Sequence, residues 1–146
     1  VAACSRRGRR GILVTRFGEQ LPRHLPAGVR HFDFVPFSQI LPRAAAVVHH
    51  GGIGTTAQGL AAGIPQLVMP MSYDQPDNAA RLVDLGVGDW LLPKHFTADR
   101  VAEKLQRLLI SKDVSASCTQ VRSWVQDQDG LSMACDRIEE LMLPMF

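Results

Sequence analysis

Short apolar runs, each bounded by Gly or Pro and separated by stretches of helical periodicity, recur along this chain and leave few folds open to it. The runs are Gly11–Thr15 (GILVT), His31–Val35 (HFDFV), Ala45–His49 (AAVVH), Gln66–Met69 (QLVM) and Asp89–Leu92 (DWLL). Their β-branched and large apolar residues suit strands. Several are nearly continuous in apolarity rather than alternating, which is the pattern of strands covered on both faces. Helices are predicted between and after them. Thr55–Ala62 stops at Gly63 with Pro65 beyond, and Asn78–Leu85 closes at Gly86. Thr97 can cap a helix carrying Val101, Leu105, Leu108 and Leu109 at helical spacing. A further helix spans Ser115–Gln126. The last, from Leu131, sets Leu131, Ala134, Cys135, Ile138, Leu141 and Met142 on one face. Strands alternating with helices imply an α/β fold, a doubly wound parallel sheet of Rossmann-like type. Asp127–Gly130 reads as a turn before the last helix rather than a linker, and there is no internal repeat.

If Val1–Ser5 is the tail of a helix, the strand that should lead into that helix is not among these residues. In a doubly wound sheet the first strand is usually central, beside the point where ligands bind. The expectation is therefore one domain over residues 1–146, with 113–146 as C-terminal helices and the first strand lacking. Such a sheet has a gap to close or an edge to cover. Val1, standing where a chain would start with Met, points the same way, toward a piece of something longer.

Composition narrows the function. With 46% hydrophobic and 21% charged residues the chain is neither disordered, collagen-like nor a coiled coil. No apolar run approaches the ~20 residues that cross a bilayer. A formal charge of +2 is too small to argue for nucleic acid as a partner. The local exception is Arg6, Arg7, Arg9 and Arg10, a solvated terminus or helix end, or a patch that could meet an acidic lipid surface. Cys4, Cys118 and Cys135 are an odd number at no metal-like spacing, and read as buried thiols in a reducing compartment. With no secretory or transit segment in view, the expected location is the cytoplasm.

The stretch that carries chemistry is VVHHGGIGTTAQGLAAGIPQLVMPMSYDQ, residues 47–75. A buried strand ends in His49 and His50. A glycine-rich turn follows (Gly51, Gly52, Gly54), and Thr55 and Thr56 open a helix. Glycines let backbone amides approach a ligand, and a helix N-terminus offers free N–H groups and a partial positive charge. The threonines can add hydroxyl donors, and His49 or His50 an imidazole donor. Physically this is an anion cradle suited to a diphosphate. It is not a Walker A loop, because no Lys follows the last Gly, and GGIG lacks the G-x-G-x-x-G dinucleotide spacing. The following strand delivers Asp74 and Gln75 to the same rim, where a carboxylate beside an amide can grip sugar hydroxyls. Helix capping and turn formation before Asn78 would use the same two residues.

The segment Phe34–Gly88 resembles the donor-binding half of the family-1, GT-B glycosyltransferases. These form the UDP-glycosyltransferase superfamily, and the likeness is to the bacterial antibiotic, macrolide and sterol glucosyltransferase branch. The resemblance covers over a third of the chain and implies a GT-B C-terminal domain. It implies that His50 contacts the donor diphosphate and that Gly52, Gly54, Thr55 and Thr56 surround it. Phe34 stands where an aromatic ring stacks on the nucleobase, and Val35 where backbone groups read its edge. Gln58 takes the place of the ribose-binding glutamate of plant members. Asp74 and Gln75 match the pair that holds the transferred sugar. The chain departs from the plant pattern at Phe37, where those members carry glutamine, and at Ile53, where they carry tryptophan.

What the resemblance implies is a donor-binding domain for transfer of a hexosyl group from a UDP- or dTDP-sugar to an acceptor hydroxyl, inactive as an isolated fragment. No cofactor and no metal are expected. The general base belongs to an N-terminal acceptor domain outside these residues, so no catalytic residue is expected here. Two other classes remain: a non-catalytic nucleotide-sugar-binding or regulatory subunit, and a nucleotide-sugar epimerase-like enzyme. For the latter, Arg81 and Asp84 are the nearby charged candidates.

Overall fold

A computed structural model describes residues 1–126 and 129–142. Residues 127–128 of the expected turn, and 143–146 of the expected C-terminal helices, lie outside the described residues. The elements run α1 (Ala2–Arg6), β1 (Gly11–Val14), β2 (Val29–Phe32), α2 (Phe37–Ile40), β3 (Val47–His49), α3 (Ile53–Ala62), β4 (Gln66–Val68), α4 (Gln75–Asp84), β5 (Gly88–Trp90), α5 (Ala98–Ile110), α6 (Lys112–Gln126) and α7 (Gly130–Met142).

All strand pairs are parallel, and they form two sheets rather than one. β1 pairs with β2, Gly11 opposite Val29, and a separate sheet has the order β3-β4-β5, His49 opposite Val68 and Val68 opposite Trp90. β1 and β3 each have a neighbour on one side only. Ile12 of β1 is 50% exposed and Val48 of β3 43%. β4, with neighbours on both sides, is buried at every position.

The central strand β4 is covered on both faces, which is what its unbroken apolar run implies. On one face Leu67 packs with Ala3 of α1 and with Val101, Ala102 and Leu108 of α5. On the other, Val68 packs with Ala79 and Leu82 of α4 and with Cys118 and Val121 of α6. Thr97 caps α5 by accepting from the N–H of Arg100, and Gly63 ends α3 in the left-handed conformation (φ 69°). Arg6 closes the last turn of α1 and pairs with Asp99, the helix-end role open to the arginine cluster. α7 is exposed along its length, Leu131, Ile138 and Leu141 included.

Two expectations need correction. The second strand lies at Val29–Phe32, so Asp33, Phe34 and Val35 form the loop beyond it. Pairing with β1 sets the register, and Pro36, which has no N–H to give a ladder, follows at once. Of the three cysteines only Cys118 is buried; Cys4 is half-buried and Cys135 exposed. No described helix is long and apolar enough to cross a membrane.

Candidate donor site

Residues that leave the carboxyl ends of parallel strands gather on one rim, the usual place for ligands in such sheets. From β3 the chain passes through His50, Gly51 and Gly52 into α3, and from β4 through Met69–Asp74 into α4. From β2 it passes through Phe34 and Val35.

The turn after β3 is built by His49 and two buried amides that the sequence reading had not singled out for the site. The N–H of Gly51 donates to Nδ1 of His49 (3.1 Å), which leaves the ring proton on Nε2. That Nε2 then donates to Oε1 of Gln66 (2.9 Å), and Nε2 of Gln66 donates to the carbonyl of Thr56 (3.1 Å). Gln66 is 0% exposed. Burial lowers the His49 pKa, the Gln66 contact opposes this, and neighbouring His50 lowers it further. His49 is thus a neutral structural strut, and His50 is the exposed imidazole of the pair. Their rings lie 6.5 Å apart, nearly perpendicular. Gly51 (φ 94°) takes a conformation that side chains avoid, and a Cβ on Gly52 would lie 2.6 Å from Nε2 of His50. The second glycine is therefore where the His50 ring rests.

Gly52 is the N-cap of α3, and the first helical bond runs from the N–H of Thr56 to the carbonyl of Gly52 (3.0 Å). The N–H groups of Ile53, Gly54 and Thr55 precede that bond and are the orphan donors of the helix opening. Thr55 is partly exposed beside them. Thr56 is corrected: it is buried, and its hydroxyl donates to the carbonyl of Gly52 (3.1 Å). That hydroxyl holds the helix start and does not face the cradle.

Phe34, Val35 and Gln58 come together. With Val14, Pro36, Phe37 and Ser38 they line a cavity of about 370 Å³. The Phe34 ring is 69% exposed, whereas Val35 is buried. Gln58 donates weakly to the carbonyl of Gly54 (3.4 Å), which leaves its side-chain oxygen toward solvent.

Asp74 and Gln75 open α4, and part of their hydrogen-bonding capacity is already engaged. Oε1 of Gln75 accepts from the N–H groups of Met71 (2.9 Å) and Ser72 (3.3 Å), so the carboxamide holds its own loop and presents its NH2. Oδ2 of Asp74 accepts from Nδ2 of Asn78 (2.7 Å), so Oδ1 is the oxygen left to a ligand. Asp74 stands at the N-cap without capping a backbone N–H. The adjoining Tyr73 is 94% exposed with φ 57°, a conformation unusual for a residue with a Cβ. Arg81 pairs with Asp77 on the surface of α4, an ordinary i,i+4 contact. Among the described residues no three His, Cys, Asp or Glu side chains are grouped to hold a metal ion.

Signals for the two missed amides were present: Gln66 interrupts an apolar run, and Asn78 follows the Asp-Gln pair. Neither spacing shows that they meet the turn at residue 51.

Residues 12–132 match the family described as "Erythromycin biosynthesis protein CIII-like, C-terminal domain". Demethyllactenocin mycarosyltransferase of Streptomyces fradiae is 35% identical over 120 residues, covering 82% of this chain and 26% of that protein. Elloramycin glycosyltransferase ElmGT of Streptomyces olivaceus is 41% identical over 106 residues, 63% of this chain and 28% of the relative. The chain thus spans about a quarter of the length of the curated relatives it matches. Among solved structures, the glycotransferase of kitacinnamycin superposes with a TM-score of 0.83 at 27% identity, over 95% of this chain and 37% of that one. Glycosyltransferase VinC, solved in complex with DTDP, gives 0.73 at 31% identity, over 81% and 30%.

Proposed function

Because the chain belongs to the erythromycin biosynthesis protein CIII-like C-terminal domain family, a branch of the family-1, GT-B glycosyltransferases, we propose that residues 1–146 form its nucleotide-sugar donor-binding domain. The observation that carries this is the opening of α3, where three N–H groups without intrahelical partners lie beside the exposed His50 imidazole. Two phosphate groups need several donors and little else, and a helix N-terminus supplies them with its dipole correctly signed.

The remaining groups of a nucleotide-sugar have places on either side. The base stacks on Phe34 above the cavity, Val35 offers backbone groups to its edge, and Gln58 meets the ribose. The cavity at Val35 and Gln58 supports that placement. The sugar hydroxyls meet Oδ1 of Asp74, an acceptor, and the NH2 of Gln75, a donor. VinC, at 31% identity, was solved with DTDP, which favours a dTDP-sugar over a UDP-sugar as donor.

In the whole protein, the transfer begins when an acceptor hydroxyl attacks the anomeric carbon of the bound sugar. The bond from that carbon to the diphosphate breaks, and negative charge grows on the departing phosphate oxygens. His50 and the amides of Ile53, Gly54 and Thr55 hydrogen-bond those oxygens more strongly as the charge grows. They therefore lower the barrier rather than only tightening ground-state binding. The hydroxyl's proton goes to a base on the acceptor side, which the remainder of the protein supplies. On this reading the 146 residues bind donor and do not turn over alone, and the chemistry proceeds without a metal.

Calorimetric titration with UDP, UDP-glucose, dTDP and dTDP-glucose tests it. Saturable binding that falls at least tenfold in His50→Ala is expected, the loss of one charge-assisted hydrogen bond being worth roughly that much. A folded chain that binds none of the four would sink the proposal.

A further inference from the structure

Asn78 sits in the first turn of α4, 8% exposed, and does not line the cavity. Its Nδ2 nevertheless makes two hydrogen bonds that reach different parts of the site. One goes to the carbonyl of Gly51 (2.9 Å), inside the turn after β3. The other goes to Oδ2 of Asp74 (2.7 Å), in the loop after β4. Both partners are acceptors without a proton, so the amide must present its nitrogen and not its oxygen to them. The two protons of one planar NH2 group leave at a fixed angle, so the directions of the Gly51 carbonyl and the Asp74 carboxylate are set relative to each other. The same turn is pressed against α4: a Cβ on Gly51 would lie 2.8 Å from Val68 and 3.2 Å from the carbonyl of Gln75.

We propose that Asn78 is a positioning residue that locks the diphosphate turn and the sugar carboxylate into one geometry, so that the two halves of the donor are sensed together. This rests on the donor-site reading above. The turn that carries His50 cannot shift without pulling on Asn78, and Asn78 cannot follow without turning Asp74 Oδ1 away from the sugar. Such coupling is reciprocal: whatever the sugar end gives the diphosphate end, the diphosphate end returns. Asp74, which meets only the sugar, therefore influences the binding of a nucleotide that has none.

The test compares dTDP with dTDP-glucose on the 146-residue chain, with circular dichroism to establish folding. The ratio of the two dissociation constants measures what the sugar adds. Asn78→Ala is expected to weaken dTDP by about tenfold, a buried hydrogen bond to Gly51 and a part-buried charge-assisted one to Asp74 being lost together, and to bring the sugar ratio to the Asp74→Ala value. In the double variant the sugar ratio should fall no further. Asp74→Ala, at an exposed position, is the second arm should Asn78→Ala fail to fold. It is expected to weaken dTDP itself by about threefold, which a side chain serving only as a sugar contact would not do.

Equal weakening of dTDP and dTDP-glucose in a folded Asn78→Ala, with the sugar ratio intact, would mean a merely structural amide and would overturn the inference. So would an unchanged dTDP affinity in Asp74→Ala. If the folded parent chain binds neither nucleotide, the donor-site reading fails first and takes the inference with it.

Discussion

Replacing Gly59 by Ala should destabilise this protein, although the same change in a solvent-facing helix would stabilise it. Gly59 lies inside α3, where Ala is preferred to Gly by about 1 kcal/mol. A Cβ there would stand 2.5 Å from Cδ of Gln66, 2.6 Å from its Nε2 and 2.7 Å from its Oε1. The end of a glutamine side chain usually moves aside at little cost. This one is fully buried, and both ends of its amide are held, by Nε2 of His49 at 2.9 Å and the carbonyl of Thr56 at 3.1 Å. Each group orphaned by a shift costs about 1–3 kcal/mol, and overpacking costs about as much again. Against the helical gain, the net loss comes to about 2 kcal/mol, a fall in Tm of roughly 4–8 °C for a chain of this length. Urea and thermal unfolding followed by circular dichroism measure it. Gly54→Ala serves as the internal control, because a Cβ there meets nothing within 4 Å and the backbone is ordinary. That variant should be as stable as the parent or up to about 1 kcal/mol more stable. A Gly59→Ala protein at least as stable as the parent would refute the idea that Gln66 is held rigidly between β3 and α3.

Stability should also fall with acid through His49. Burial lowers its pKa below the ordinary 6.5, so the unfolded chain binds the extra proton more readily. The contribution is fully present above pH 6.5 and declines as pH drops from there toward the lowered folded value. Protonation also removes the Nδ1 acceptor that holds the N–H of Gly51. Urea midpoints between pH 8 and pH 5 should show this slope, and His49→Asn should flatten it; an equal slope in both proteins would exclude His49 as its source. The thiols should separate by reactivity, since Cys135 is exposed while Cys118 is buried with its pKa raised by that burial. A chromogenic disulfide reagent should label Cys135 within the first equivalent and reach Cys118 only in denaturant. Rapid native labelling of Cys118 would contradict the packing of α6 on the sheet.

Much of the candidate site is legible in the sequence because local rules write it. A strand that ends at Gly-rich sequence and turns into a helix exposes N–H groups wherever it occurs, so His50, Gly52, Gly54 and Thr55 could be read as a cradle from their order alone. The carboxyl-end rule likewise put Asp74 and Gln75 beside them. Family likeness, not spacing, brought in Phe34, Val35 and Gln58, and the structure gathers these three about one cavity. What stayed hidden depends on contacts across the sequence. His49 bonds Gln66 and Asn78 bonds Gly51, separations of 17 and 27 residues that exist only once β3 and β4 are in register. Thr56 misled for the opposite reason. A hydroxyl at a helix start can face a ligand or bond the preceding turn, and only the observed bond to Gly52 decides. The strand at His31–Val35 slipped because HFDFV is apolar enough to be a strand, while its true partner, Gly11–Val14, sets the pairing two residues earlier.

Within these 146 residues the separation of the two sheets gives a bound nucleotide a mechanical part to play. The walls of the base cavity come from both bodies: Val14 and the loop from Phe34 to Ser38 follow the β1–β2 pair, whereas Gln58 rides on α3 beside the three-stranded sheet. Among the described residues no ladder bond joins the two, so in these 146 residues the width of the cavity depends on packing at the joint between them. A ligand with its base on one body and its diphosphate on the other spans that joint as a cross-brace. Filling the site should therefore slow amide exchange in β1 and β2, strands that carry none of the proposed diphosphate donors.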